Sequence, residues 1–278
     1  MAGGIEIKSP QQILVMRRAG LVVARTLARL RDAARVGTTT GELDALARES
    51  LASAGAASSF LDYGAGWGIP AFPAVTCISV NDEIVHGIPG ERVLADGDLV
   101  SVDFGAIVDG WHGDAAVSFS VGTARPQDVQ LSEVTRQSLW HGIAAARLGG
   151  RIGDISAAIQ GFVQGRPQRY GIVREFTGHG IGSAMHQSPD VPNLGKRGRG
   201  PLISKGMCLA IEPMLTLGGD ATATLDDAWT VVTRDGSRAC HWEHTMTVTA
   251  KGIWVLTAED GGEAELAAAG VPFGPLAD

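Results

Sequence analysis

The chain has 278 residues, long enough to bury a sizeable core, and is 45% apolar and 19% charged, which excludes a disordered or highly charged tail protein. Thirty acids against 23 bases leave a net charge of −7, a poor match for the basic footprint of a nucleic-acid binder, DNA included. Cys77, Cys208 and Cys240 are widely spaced with no C-x-x-C pair, which argues against a disulfide framework or a thiolate zinc site and fits a reducing compartment. Glu6 and Lys8 interrupt the first ten residues, and no window reaches the roughly 18 apolar residues of a membrane span. The expectation is a cytoplasmic protein with no signal peptide and no membrane contact.

In chain order, Ser9-Pro10 reads as N-cap and first helical position, followed by helical periodicity from 13 to about 36 and a stop at Gly37. A second helix is expected over 41–54, capped by Thr39 or Thr40. Short β-rich runs bounded by Gly, Pro and Asp follow at 74–80, 99–108 and 115–121. Helical pattern returns at 126–148 and 154–163, and strand-like runs resume at 172–176, 207–211, 229–233 and 245–249. The last residues, 258–278, are rich in Gly, Glu and Ala and read as a frayed tail on a single catalytic domain spanning 1–278, with its core at 9–257.

Helices then strands, twice over, suggest a duplication. Ala33-Ala34-Arg35-Val36-Gly37 with Gly41-Glu42-Leu43 aligns with Ala145-Ala146-Arg147-Leu148-Gly149 with Gly153-Asp154-Ile155 at a constant offset of 112 residues. Two ordinary helix stops in an Ala- and Gly-rich chain would also produce this, but the matching acid and aliphatic residues favour repeated halves. The expected fold class is α/β (α+β): pseudo-twofold halves with a central antiparallel-rich sheet, covered by helices on one face.

Strand alternation from Asp98 to Asp103 puts Asp103 on the face of Ser101, and a hairpin turning at Asp109-Gly110 would bring Asp114 onto the facing strand. Either acid alone reads as an ordinary strand-end residue. Two carboxylates on one sheet face repel unless protonated or metal-bound, so the pair points to a metal. The second half adds His179 between Gly178 and Gly180, His186, Glu212 at the end of an apolar strand and Glu243 before the last one. Glu212 follows Asp103 by 109 residues, near the repeat offset, and Asp114 with Glu243 forms a looser second pair. Four carboxylates and one imidazole suit two divalent ions such as Co, Mn, Fe or Zn, about 3.5–4 Å apart and able to activate a shared water for hydrolysis.

Val85-His86-Gly87-Ile88-Pro89, Asp103, Asp114, Gly178-His179-Gly180-Ile181-Gly182, Ile211-Glu212-Pro213-Met214 and Glu243-His244-Thr245 together resemble the motif series of the type I methionine aminopeptidases, in order as far as about Thr257. The resemblance implies the pita-bread fold in its short bacterial form and removal of the N-terminal methionine of nascent polypeptides, with preference for a small second residue. It implies the metal ligands Asp103, Asp114, His179, Glu212 and Glu243, with Asp114 and Glu243 bridging. Asp103 would complete one ion, and His179 with Glu212 the other. It makes Glu212 the general base, places His86 near the scissile nitrogen and His186 at the carbonyl oxygen, and assigns the methionine pocket to Phe72, Cys77, Met185 and Trp229. Read without the resemblance, these histidines and pocket residues would pass as core.

Several positions depart from that pattern. Asp103-Phe104-Gly105 replaces the more usual Asp-x-Thr, Gln187-Ser188 replaces an acidic pair, His241 stands where Gln is frequent, and 64–69 looks like an insertion. The first alternative is an Xaa-Pro aminopeptidase or dipeptidase of the same fold. That reading expects a large extra N-terminal domain, no His-Gly-Ile-Pro run, and Arg and Asp where this chain has Trp242 and His244. The second is a non-catalytic binding module, which would have lost metal ligands. The basic run Lys196-Arg197-Gly198-Arg199 is a candidate for docking near ribosomal RNA, although a solvated loop is its commoner use. The expected oligomeric state is a monomer, and Met1 before the small Ala2 predicts removal of the chain's own first residue.

Overall fold

The computed structural model describes residues 4–276, so the expected processing at Met1 lies outside the described residues. Helix α1 (Pro10–Ala33) opens with a capping box in which Ser9 and Gln12 satisfy each other's backbone N–H groups, with Pro10 in the first turn. It ends three residues short of the expected 36, because Thr38 turns the chain back by accepting from Arg35 N, and Gly37, at φ 94°, donates to Leu94 O. Helix α2 (Thr40–Ala54) is capped by Thr39, not Thr40, through a reciprocal pair with Glu42. Helices α3 (Pro126–Ala145) and α4 (Ile152–Gln164) recur in the second half, and α2 and α4 begin 112 positions apart.

The nine-stranded main sheet is antiparallel in every pairing. Its centre is a hairpin of two ten-residue strands, Leu99–Val108 and Trp111–Ser120. Asp109 and Gly110 form its two-residue turn with φ of 47° and 80°, the left-handed pair of a type I′ turn that matches strand twist. Outward from Trp111–Ser120 lie Glu243–Val248, Cys208–Ile211, Gly178–Gly180 and Gln187–Val191, while Thr76–Val80 flanks the other side of the hairpin.

Each half of the sheet buries one face under its own helices. Val100, Val102 and Phe104 share a core with Val23, Leu27 and Leu30 of α1 and Leu43 and Leu51 of α2. Leu209, Ile211, Met246 and Val248 share another with Leu139 and Ile143 of α3 and Ile155 and Ile159 of α4. Because side chains alternate across a strand, Ser101, Asp103 and Gly105 necessarily face away from the helices. The helix-free face is where the polar residues collect.

The tail expectation fails over its described part. Residues 263–268 form helix α5 (Glu263–Ala268), Leu266 is buried with Val271 in the second-half core, and Phe273 bridges to Ile253. Three apolar anchors spaced through an Ala- and Gly-rich segment are enough to dock it. Strand ends also shift. The run expected at 172–176 keeps only Gly171–Ile172, and that at 229–233 only Val231–Thr233, leaving Trp229 outside the ladder.

Candidate metal centre and substrate pocket

The five residues expected as ligands converge from four strands and one strand end. Asp103 pairs in register with Ala116, and Ala116 with Glu243, so Asp103 and Glu243 lie in one row across three strands, with Asp114 one row away opposite Gly105. His179 opposes Ala210, two residues before Glu212. Donor atoms of Asp114, His179 and Glu243 all lie within 4.8 Å of one another. His179 Nε2 is 3.5 Å from Glu212 Oε1, and Asp103 and Asp114 are in side-chain contact. Asn193 Nδ2 donates to the Glu212 carbonyl at 3.1 Å, which anchors the strand end carrying that acid.

Electrostatically the cluster is unstable by itself. Burial, compounded by Asp114 and Glu212, pushes the Asp103 carboxyl well above its usual range, and burial and Asp114 do the same to Glu212. Glu243 is raised by burial and then by Asp114, and burial takes Asp114 to about 7. Asp103 Oδ1, Asp114 Oδ1 and Glu243 Oε1 are buried without a hydrogen-bond partner. Crowded carboxylates with orphaned oxygens are what a divalent cation would satisfy, so the residues fit a metal. His179 is prepared for the same task. Its Nδ1 sits 3.0 Å from the Gly180 carbonyl, which fixes the proton there and frees Nε2, and burial lowers its pKa to about 3.

A cavity of about 240 Å³ opens beside the cluster. Phe72, Cys77, Met185 and Trp229 do form one apolar group there, joined by Phe60 and Ala74. Trp229 is fixed by an Nε1 hydrogen bond to the Pro70 carbonyl at 2.8 Å and an edge-on contact with Phe72. Burial and neighbouring acids, Asp103 first, hold the Cys77 thiol protonated. His86 and His186 both line the cavity. The His86 backbone takes the left-handed conformation at φ 60°, unusual for a residue with a Cβ. Gly87 follows it so tightly that a Cβ would come within 2.3 Å of the Ile78 carbonyl, so the His-Gly order is a packing requirement. Burial and the charge of His186 hold His86 near a pKa of about 4, a neutral imidazole.

Reading the sequence missed Tyr63 and Phe176, which line the same cavity, and noted His241 only as a departure. His241 had a signal. It lies two residues before Glu243 in extended chain, hence on the same side. Its Nε2 is buried without a partner, 3.8 Å from both Glu212 Oε2 and Glu243 Oε2. Tyr63 sits at the edge of the insertion-like segment and had none. Two of the other departures find physical roles. A side chain at Gly105 would strike Ser59 at 2.7 Å and the Phe60 ring at 3.0 Å, so glycine lets the aromatic wall close over the sheet. Gln187 accepts from the buried Lys8 ammonium at 3.1 Å, tying the N-terminal segment to the loop that carries Met185 and His186.

The model of metallopeptidase family M24 matches residues 15–250. The chain is 50% identical to methionine aminopeptidase 1 of Mycobacterium tuberculosis over 255 residues, which covers 90% of this chain and 94% of that one. The chain belongs to the methionine aminopeptidases of metallopeptidase family M24. A solved methionine aminopeptidase from Thermotoga maritima superposes with a TM-score of 0.87 at 39% identity, over 92% of this chain and all of that one. The prolidase of Pyrococcus furiosus superposes with a TM-score of 0.71 at 18% identity, over 91% of this chain and 65% of the prolidase, a likeness of fold alone. The pita-bread architecture of M24 proteins accounts for the two halves and for a site on the helix-free face of the sheet. Among the described residues no helix is long and apolar enough to cross a membrane.

Proposed function

We propose that Asp103, Asp114, His179, Glu212 and Glu243 hold two divalent ions, Co, Mn, Fe or Zn, in a methionyl aminopeptidase whose single catalytic unit is the whole chain. The chain removes N-terminal methionine, and the Xaa-Pro alternative is not favoured, because the close relatives are methionine aminopeptidases and the prolidase likeness is confined to fold. One observation carries the metal reading: four carboxylates, Asp114 and Glu243 buried and Asp103 and Glu212 largely so, share one face of the sheet, three of them with orphaned oxygens. It also weighs against a non-catalytic module, which would not retain so costly a cluster.

When bound, the ions neutralise this charge and activate water at neutral pH. Glu212, at the mouth of the cluster and 12% exposed at its side chain, is placed to take a proton and pass it to the leaving amine. His86 acts at the scissile nitrogen, and His186 donates to the carbonyl oxygen as charge develops there. Phe72, Cys77, Met185 and Trp229 form a slot for a flexible thioether, closed by aromatic edges that exclude water. Selection for a small second residue follows from crowding near His86, where Phe176 and Trp229 flank the ring. The protein works in the cytoplasm as a monomer on nascent chains. The exposed turn at Lys196–Arg199, laid against the start of α4, is the surface offered to ribosomal RNA.

The deciding experiment is hydrolysis of Met-Gly-Met and Xaa-Pro peptides after chelation and reconstitution with one metal at a time. Metal-dependent release of methionine with no Xaa-Pro cleavage is the expected result. An inert reconstituted protein, or Xaa-Pro cleavage alone, would overturn it.

A further inference from the structure

The Tyr63 hydroxyl lies 2.5 Å from His186 Nδ1, and the two rings meet edge-on with centroids 5.2 Å apart. Among the described residues the phenol makes no other hydrogen bond. From this we infer that Tyr63 is the positioning residue for His186. It donates to Nδ1, which makes Nε2 the proton-bearing nitrogen and holds the ring in one orientation. A neutral imidazole carries one N–H, and the partner of one nitrogen decides which it is. A phenol has one proton to give, and Nδ1 is the acceptor within reach. Burial and the charge of Asp114 raise the Tyr63 pKa, which keeps the phenol protonated.

Four contacts hold Tyr63 itself. Its ring packs edge-on against Trp67 at 5.2 Å and tilted against Trp229 at 6.5 Å, and its backbone N–H donates to Phe60 O while its carbonyl accepts from Phe72 N. The residue that sets His186 is therefore anchored in the wall of the methionine pocket. A methionine side chain seated against Trp229 and Phe72 would press on the same aromatic group that orients the donor, linking occupancy of the pocket to readiness of the donor.

This assignment rests on the reading that His186 serves the substrate carbonyl, and its test separates the two. In ¹⁵N-histidine-labelled protein, chelated or zinc-loaded, the His186 ring signals are identified by their loss in His186→Gln. The expected pattern is a protonated Nε2 and an unprotonated, hydrogen-bonded Nδ1, with that hydrogen-bond signature lost in Tyr63→Phe. Kinetically, Tyr63→Phe should lower kcat by about tenfold, short of the ~10²–10³ for losing an oxyanion donor outright, and leave KM unchanged. A protonated Nδ1 in the unmodified protein, an identical His186 pattern in Tyr63→Phe, or an unchanged kcat would overturn the assignment. If His186→Gln were fully active, the carbonyl role of His186 would fail, while the ring signals would still report the Tyr63 hydrogen bond.

Discussion

Thr245 and Asp114 are joined twice. The Thr245 hydroxyl accepts from Asp114 N at 3.1 Å and donates to Asp114 O at 2.8 Å, both buried. The pair stitches the hairpin of the first half to the Glu243–Val248 strand of the second, two residues from Glu243, and so sets the spacing of Asp114 and Glu243, two of the proposed ligands. Thr245→Val keeps the shape but strands a buried N–H and a buried carbonyl. Stability should fall by about 1–3 kcal/mol in urea denaturation, and metal affinity should fall with it. Thr245→Ser should restore most of both, and a fully stable valine variant would refute the stitch.

Glu212→Gln should leave the fold intact and reduce turnover by about 10²–10⁴, because the proton acceptor is lost while the site keeps its shape. Thermal melting of the chelated protein checks the first half of this statement and steady-state kinetics the second. Turnover close to that of the unmodified enzyme would remove Glu212 from its role as base.

His241 faces Glu212 and Glu243 with a buried, unpartnered Nε2. His241→Ala removes a donor aimed at two proposed ligands and should weaken metal binding by about tenfold in titration calorimetry. His241→Gln supplies an amide donor from the same place and should recover it. Equal affinity in all three proteins would show that the imidazole only fills space.

The metal-free protein should become less stable as pH rises above 6.5. Asp103, Asp114, Glu212 and Glu243 keep protons in the folded state beyond the pH at which the unfolded chain has released them, Asp114 to about 7. The native state then binds more protons than the unfolded one, and stability falls with pH. Below 6.5 the sign reverses for the buried imidazoles. His86, His112 and His244, with folded pKa values of about 4, and His179 and His241, at about 3, stay neutral while the unfolded chain protonates; with His141 and His186, also lowered by burial, they outnumber the four carboxylates, so stability is lost as pH falls. Calorimetric melting from pH 5 to 8.5 should show a maximum for the chelated protein near 6.5, with the largest stabilisation by added Mn on the alkaline side. A chelated melting temperature that keeps rising to pH 8.5 would contradict the carboxylate cluster.

Met185 contributes its thioether to the slot formed with Cys77 and Trp229. Met185→Ala should lower kcat/KM on Met-peptides by about tenfold or more, chiefly through KM, since the lost contacts bind substrate and transition state alike. A fall confined to kcat would place Met185 nearer the chemistry than the pocket.

The sequence by itself made legible the proposed ligands, the hairpin turn, the helix starts and the repeated halves, because each is written in local chemistry. Asp109-Gly110 permits the turn whatever surrounds it, Ser9 and Thr39 cap helices through residues three positions away, and alternation alone puts Asp103 on a definite face. Only the tertiary structure decided that Tyr63 meets His186 across 123 positions, that His241 points at two acids, and that the final segment docks through Leu266 and Val271. Such contacts depend on where separate strands and loops come to rest, and no local periodicity or capping rule encodes that.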